Sequence, residues 1–131
     1  MAKGKFGTSI NCMDGRVQLP MIDWMKENFG VDYVDMVTEP GPDKIVSSCS
    51  PGRLRGIQEK VKISVDKHGS KHVVIAGHDD CAGHPVSREK HIEDIKAAMQ
   101  VIKGWGLPVS IYGVWINSAW QVELIDTIEA A

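Results

Sequence analysis

Residues of metal-binding type stand where the sequence predicts strands to end. A short apolar run, Val73–Ala76, leads into Gly77 and His78, and Cys81 follows three residues after the histidine. The run is typical of a buried strand. An imidazole and a thiolate three residues apart, just past a strand end, can turn toward one point and bind a metal ion. Two protein ligands rarely hold a metal well, so we expect a third, and Cys12 is the candidate.

These three side chains would make a Cys₂His set. Zinc is the natural metal for this mixture of thiolate and imidazole, and three protein ligands indicate a catalytic site that keeps a fourth position for water or another ligand. Two thiolates cancel the double charge of the ion, so a bound water is less acidified than beside three histidines. We therefore expect neighbouring side chains to assist it.

Asp14 and Arg16 follow Cys12 at spacings of two and four residues. The Asp14 carboxylate could accept a hydrogen bond from a zinc-bound hydroxide, or it could occupy the fourth position and close the site. Arg16 can hold that carboxylate in a bidentate pair, which would keep Asp14 ionised and oriented toward the metal-bound ligand. An ordinary surface ion pair is the other interpretation.

Strand and helix patterns alternate along the chain, which predicts an α/β fold with a mainly parallel central sheet of four to five strands and helices on both faces. Ligands bind at the carboxyl ends of the strands in such sheets. Cys12 follows the first predicted strand and His78 the third, so we expect them to meet at one edge. The predicted strands are 6–11, 31–38, 72–76 and 109–116, with 120–125 a strand or a helix. The first predicted helix is 16–29; the alternative start is near Leu19, which would put Pro20 in the first turn. The second is capped by Ser50, has Pro51 in its first position and is ended by Gly69, and the third is capped by Ser87 and ends at 104–108. Residues 39–43 are predicted as a loop.

Bulk properties narrow the class of protein. The 131 residues predict a single domain over 1–131, with 43% hydrophobic and 24% charged residues, as in globular proteins. A formal charge of −2 gives no nucleic-acid signature. With no membrane-spanning apolar run and no signal-peptide pattern, the expected location is cytoplasmic. Three cysteines are an odd count, which argues against a disulfide framework.

The two motifs together resemble the β-class carbonic anhydrases. Cys-x-Asp-x-Arg follows a first strand and Gly-His-x-x-Cys follows a later one. The matched residues are Cys12, Asp14, Arg16, Gly77, His78 and Cys81. The resemblance implies one zinc ion on the two cysteines and the histidine. It also implies an aspartate–arginine dyad that orients a zinc-bound hydroxide for attack on carbon dioxide, giving bicarbonate and a proton. A homodimer or higher homo-oligomer is expected by the same resemblance.

The chain departs from the family pattern at the second strand. Thr38-Glu39-Pro40-Gly41 replaces the usual Arg-Asn-Ala-Gly, and Ala82 intervenes between Cys81 and Gly83. Alternatives are therefore kept open: a zinc hydrolase of carbon disulfide or carbonyl sulfide on the same fold, or a non-catalytic zinc protein closed by Asp14. Thiol redox chemistry is disfavoured, because the chain has no Cys-x-x-Cys pair.

Other residues of reactive type receive simpler interpretations. His84 is a candidate proton relay, although a solvated loop histidine is the more ordinary reading. No site role is assigned to His68, His72 or His91. Cys49 is interpreted as a spare loop thiol, and the late tryptophans as core residues that an interface could also use.

Overall fold

The computed structural model describes residues 3–131, so Met1 and Ala2, which belong to the predicted domain 1–131, lie outside the described residues. Within residues 3–131, five strands form one sheet in the order β2-β1-β3-β4-β5. The strands are β1 (Phe6–Cys12), β2 (Tyr33–Glu39), β3 (His72–His78), β4 (Ser110–Ile116) and β5 (Val122–Ile128). The helices are α1 (Gly15–Phe29), α2 (Pro42–Ser47), α3 (Pro51–His68) and α4 (Arg88–Lys103).

The first four strands are parallel, and β5 returns antiparallel to β4. Each parallel connection needs a crossover, which the helices supply. The prediction of a mainly parallel α/β sheet is therefore confirmed. The segment 120–125, which the sequence left between strand and helix, contributes to β5.

The two faces of the sheet carry separate apolar clusters. Helices α2, α3 and α4 pack on one face, where Ile75 of β3 meets Ile57 and Ile95. Helix α1 packs on the other face through Val17, Met21 and Met25. The alternation of β3 divides its residues between the faces, with Ile75 in one cluster and Val74 and Ala76 in the other. His78 and Gly77, the last residues of this strand, therefore point to opposite faces.

Helix α1 begins at Gly15, in agreement with the predicted helix 16–29. The alternative start near Leu19 is wrong, because Pro20 lies inside the helix and not in its first turn. Pro20 has no N–H to give the carbonyl of Arg16. Asp14 caps the helix by accepting a hydrogen bond from the Arg16 N–H at 2.9 Å, and Gly30 ends it in the left-handed region, as predicted.

The segment after β2 also differs from prediction. The loop predicted at 39–43 is shorter, because Glu39 ends β2 and Pro42 begins the short helix α2. Gly41 supplies the left-handed residue (φ +61°) that turns the chain into this helix. Asp43 therefore stands in the first turn of a helix, fully buried. Among residues 3–131, no helix has both the length and the apolar character needed to cross a bilayer.

Candidate metal centre

Cys12, His78 and Cys81 meet at the carboxyl edge of the sheet, as the sequence predicted. Cys12 is the last residue of β1 and His78 the last of β3, and these strands are neighbours. All three side chains are at least 95% buried. One ligand atom of each lies within 4.8 Å of the other two. The two sulfurs are 4.0 Å apart and form no disulfide.

The donor set and its spacing fit zinc. Tetrahedral coordination with Zn–S bonds of about 2.3 Å places two sulfurs about 3.8 Å apart, close to the observed separation. Nδ1 of His78 donates to the Asp79 carbonyl oxygen at 2.7 Å, which leaves Nε2 as the unprotonated nitrogen. Within the described chain, this buried Nε2 has no hydrogen-bond partner. A buried nitrogen lone pair without a donor beside two sulfurs is the arrangement that a metal ion completes.

The charge state of the two thiols also favours a cation. A hydrogen bond from Cys81 lowers the pKa of Cys12 well below its ordinary value. The same contact raises the pKa of Cys81. Cys12 therefore loses its proton more readily than Cys81, because two buried thiolates at this distance repel each other. A divalent ion would allow both sulfurs to lose their protons.

Asp14 and Arg16 form the bidentate pair that their spacing predicted. Arg16 Nε donates to Asp14 Oδ1 at 3.1 Å, and Nη2 donates to Oδ2 at 2.7 Å. The Arg16 hydrogen bonds lower the pKa of Asp14 to about 2, so the carboxylate is ionised at neutral pH. The pair stands at the amino end of α1, directly after Cys12, and Asp14 is not one of the three converging ligand residues.

Two residues that hold Arg16 were not assigned to the site from the sequence. Asp80 accepts from Arg16 through its carboxylate and its carbonyl, both at 3.2 Å. Trp120 places its ring 4.5 Å from the guanidinium carbon, with its centroid 6.4 Å from that of His78. Trp120 lies in the turn after β4, at the same carboxyl edge as His78. Its position after a predicted strand was the signal that could have identified it.

His84 is buried, whereas its interpretation as a solvated loop histidine predicted an exposed side chain. Its side chain is only 7% exposed, and Nε2 lies 2.6 Å from an Asp94 carboxylate oxygen. The reading as a solvated histidine is therefore wrong. Its role as a proton relay stays a prediction.

The substituted segment after β2 supports the metal loop, residues 79–87, which connects β3 to α4 and contains Cys81. Pro40 and Gly41 pack directly on Gly83, just past Cys81. A Cβ atom on Gly83 would lie 2.5 Å from the carbonyl carbon of Pro40 and 2.7 Å from the Gly41 nitrogen. Both neighbours are backbone atoms, so neither can rotate away. The Pro40–Gly41 turn and the glycine at 83 therefore fit each other.

Replacing Gly83 with Ala is expected to lower the free energy of unfolding by about 1–3 kcal/mol, because the new methyl group overpacks two backbones. The shifted loop should also bind metal more weakly. Gly56→Ala is the control, since no atom lies within 4 Å of its Cβ position in α3. That change should stabilise the protein by about 0.5–1 kcal/mol. Urea unfolding measures both effects, and equal stability of the Gly83→Ala variant and the unsubstituted protein would contradict the packing described.

Two solved structures that resemble this chain are of β-carbonic anhydrases. A tetrameric enzyme from Sordaria macrospora superposes with a TM-score of 0.63 at 16% identity, over 95% of this chain and 82% of that one. The Coccomyxa enzyme, solved with acetazolamide, gives 0.61 at 15% identity, over 96% and 74%. At this identity the likeness shows the fold. No curated protein sequence matches the chain.

The amino-acid sequence, compared with known protein families, assigns the chain to one of them. The model of the family described as "putative carbonic anhydrase" matches residues 2–126, nearly the whole chain. The protein belongs to this family. The resemblance inferred from the two motifs is therefore confirmed at the level of family and fold.

Proposed function

We propose that this protein catalyses the zinc-dependent, reversible hydration of carbon dioxide to bicarbonate. The observation that carries the proposal is the convergence of Cys12, His78 and Cys81 beside an ionised Asp14 that Arg16 holds in place. Membership in the carbonic anhydrase family supports it. The two cysteines and the histidine would hold the ion.

A zinc ion bound there would supply a Lewis acid that lowers the pKa of a water ligand. The protein would orient the attacking water. Arg16 fixes both oxygens of Asp14, and Asp80 and Trp120 fix Arg16 in turn. Asp14 would then accept a hydrogen bond from the water and align its lone pair with the carbon of the substrate. Water and carbon dioxide give bicarbonate and one proton, which leaves for solvent.

The position of Asp14 supports an open site over a closed one. Each of its oxygens accepts from Arg16, and its Oδ1 also accepts the backbone N–H that begins α1. Closing the metal site would break these hydrogen bonds. The non-catalytic alternative, in which Asp14 stays on the metal, therefore finds no support in this arrangement.

The substrate is tested by comparing two reactions of the zinc-loaded chain. Carbon dioxide hydration is followed by stopped flow with a pH indicator, and carbonyl sulfide hydrolysis by release of sulfide. We expect efficient hydration and slow sulfide release. The reverse order would assign the same centre to carbonyl sulfide or carbon disulfide instead.

We also propose that the protein is cytoplasmic and forms a homodimer or a higher homo-oligomer. Two exposed apolar side chains support association: Met13 is 64% exposed and Leu19 is 69% exposed. Light scattering at several concentrations measures the mass, and a monomer at all of them would contradict the proposal.

A further inference from the structure

A second cluster of metal-binding side chains lies behind the site already described. Asp43 in the first turn of α2, His91 in the first turn of α4 and His84 in the metal loop are each at least 94% buried. One ligand atom from each lies within 4.8 Å of the other two. No sequence motif pointed to this cluster, because its members come from three separate segments.

Each histidine is already paired with a carboxylate. His91 Nδ1 lies 2.6 Å from Asp43 Oδ2, and His84 Nε2 lies 2.6 Å from Asp94 Oδ2. Lys90 donates to the other oxygen of Asp94 at 2.9 Å. A carboxylate that binds one ring nitrogen of a histidine fixes the tautomer and directs the other nitrogen toward a metal. His84 therefore has in Asp94 the outer partner that metal-binding histidines usually have, whereas the partner of His91 is Asp43, itself a member of the cluster.

Two polar atoms of the cluster lack hydrogen-bond partners. In the part of the chain that the structure describes, Asp43 Oδ1 and His91 Nε2 are buried and unpaired. In either protonation state of His91, a buried polar or charged atom of the cluster stays without a partner. A neutral His91 leaves Nε2 without a donor and the buried Asp43 charge without compensation, and a protonated His91 leaves a buried N–H without an acceptor. Only a protonated His91 or a bound cation therefore compensates the buried charge of Asp43.

We propose that Asp43, His84 and His91 bind a second divalent ion of the first transition series, separate from the ion on the thiolates. Two imidazoles and one carboxylate are a set that suits zinc, cobalt(II) or iron(II). Asp94 would act as a positioning residue that orients His84. His84 would bind through Nδ1, because Asp94 holds Nε2. His91 would also bind through Nδ1, with the ion in place of the proton between it and Asp43. A His84 that binds an ion does not carry protons, so this site and the relay role are alternatives.

An ion at the second site would stabilise the end of β3 and the loop after it from the face of the sheet opposite to the first site. Gly77 separates them: a Cβ atom there would lie 3.0 Å from both Asp43 Oδ2 and His91 Nδ1. The next residue along β3 is His78, which points to the thiolates. An ion on the second cluster would join α2, α4 and the metal loop directly behind this strand end.

The test counts cobalt ions and classifies them by spectrum. The full chain, without a histidine tag, is reconstituted with excess cobalt(II) and desalted, and cobalt per chain is measured by elemental analysis. Thiolate-bound cobalt shows sulfur-to-metal charge-transfer absorption, whereas a site of nitrogen and oxygen ligands does not. We expect two ions per chain, with the charge-transfer intensity of one. The count requires no turnover, so its result does not depend on whether the proposed reaction takes place.

Variants assign each ion to its site. His91→Asn should retain one cobalt with unchanged charge-transfer absorption, and Cys81→Ser should retain one without it. His68→Asn is the matched control, because His68 also pairs with an aspartate at 2.6 Å but belongs to neither cluster; it should retain two ions. If His91→Asn does not fold, Asp43→Asn and the count on the unsubstituted chain still decide. One cobalt per chain in the unsubstituted protein would overturn the proposal and would leave a bridging water as the partner of the unpaired atoms.

Discussion

Replacing Asp14 with Asn is expected to lower kcat/KM for carbon dioxide hydration roughly 10²- to 10³-fold while the thiolate-bound metal stays in place. The variant loses the charge that would accept and orient the attacking water. It keeps a side-chain oxygen for the Arg16 N–H, and Asn caps helices about as well as Asp, so α1 should remain folded. Stopped-flow kinetics and the metal content of the same sample measure the two effects separately.

Asp23→Asn provides the control for this change. Asp23 is exposed on the same helix, so its replacement makes the same change of charge away from the site. Its activity should equal that of the unsubstituted protein. Loss of the thiolate-bound metal in the Asp14→Asn variant would mean that Asp14 has a structural role, and unaltered activity would remove it from the mechanism.

Replacing Cys81 with Ser is expected to abolish metal binding at the thiolate centre and activity with it. The variant removes one of the two sulfurs that lie 4.0 Å apart, and a serine hydroxyl is a poor ligand for zinc at neutral pH. Loss of the ion should also lower the Tm, since binding to the folded chain stabilises it by mass action. The charge-transfer absorption of the cobalt form and thermal unfolding measure these losses.

Cys49→Ser is the matched control for this substitution. Cys49 is exposed and lies outside both clusters, so the same chemical change there should leave metal, spectrum and activity intact. A Cys81→Ser variant that kept its charge-transfer absorption and its activity would show that Cys81 is not a ligand.

The convergence of Cys12 and His78 could be predicted because it follows from a rule of topology. Each ends a predicted strand, and parallel strands end at one edge, so 65 intervening residues did not separate the two side chains. The Asp14–Arg16 pair could be predicted because it is local, with one residue between the two on the same chain segment. The structure places both features where these rules put them.

The second cluster could not be predicted, since no local pattern marks it. Asp43 was assigned to a loop and His91 to the face of a helix without a role, and only the packing of α2 against α4 brings them to 2.6 Å. The boundary of α2 was missed because proline at 42 reads as a loop residue although it also begins helices. Contacts between elements depend on how far each helix is rotated and shifted, which hydrophobic periodicity leaves open.

The most direct test of the account is the hydration rate of one sample in three states: zinc-loaded, stripped by a chelator, and restored with zinc. Stopped flow at mildly alkaline pH should show catalysis in the first state, the uncatalysed rate in the second and recovery in the third. A protein that holds zinc on Cys12, His78 and Cys81 and hydrates carbon dioxide no faster than water alone would contradict the proposed function.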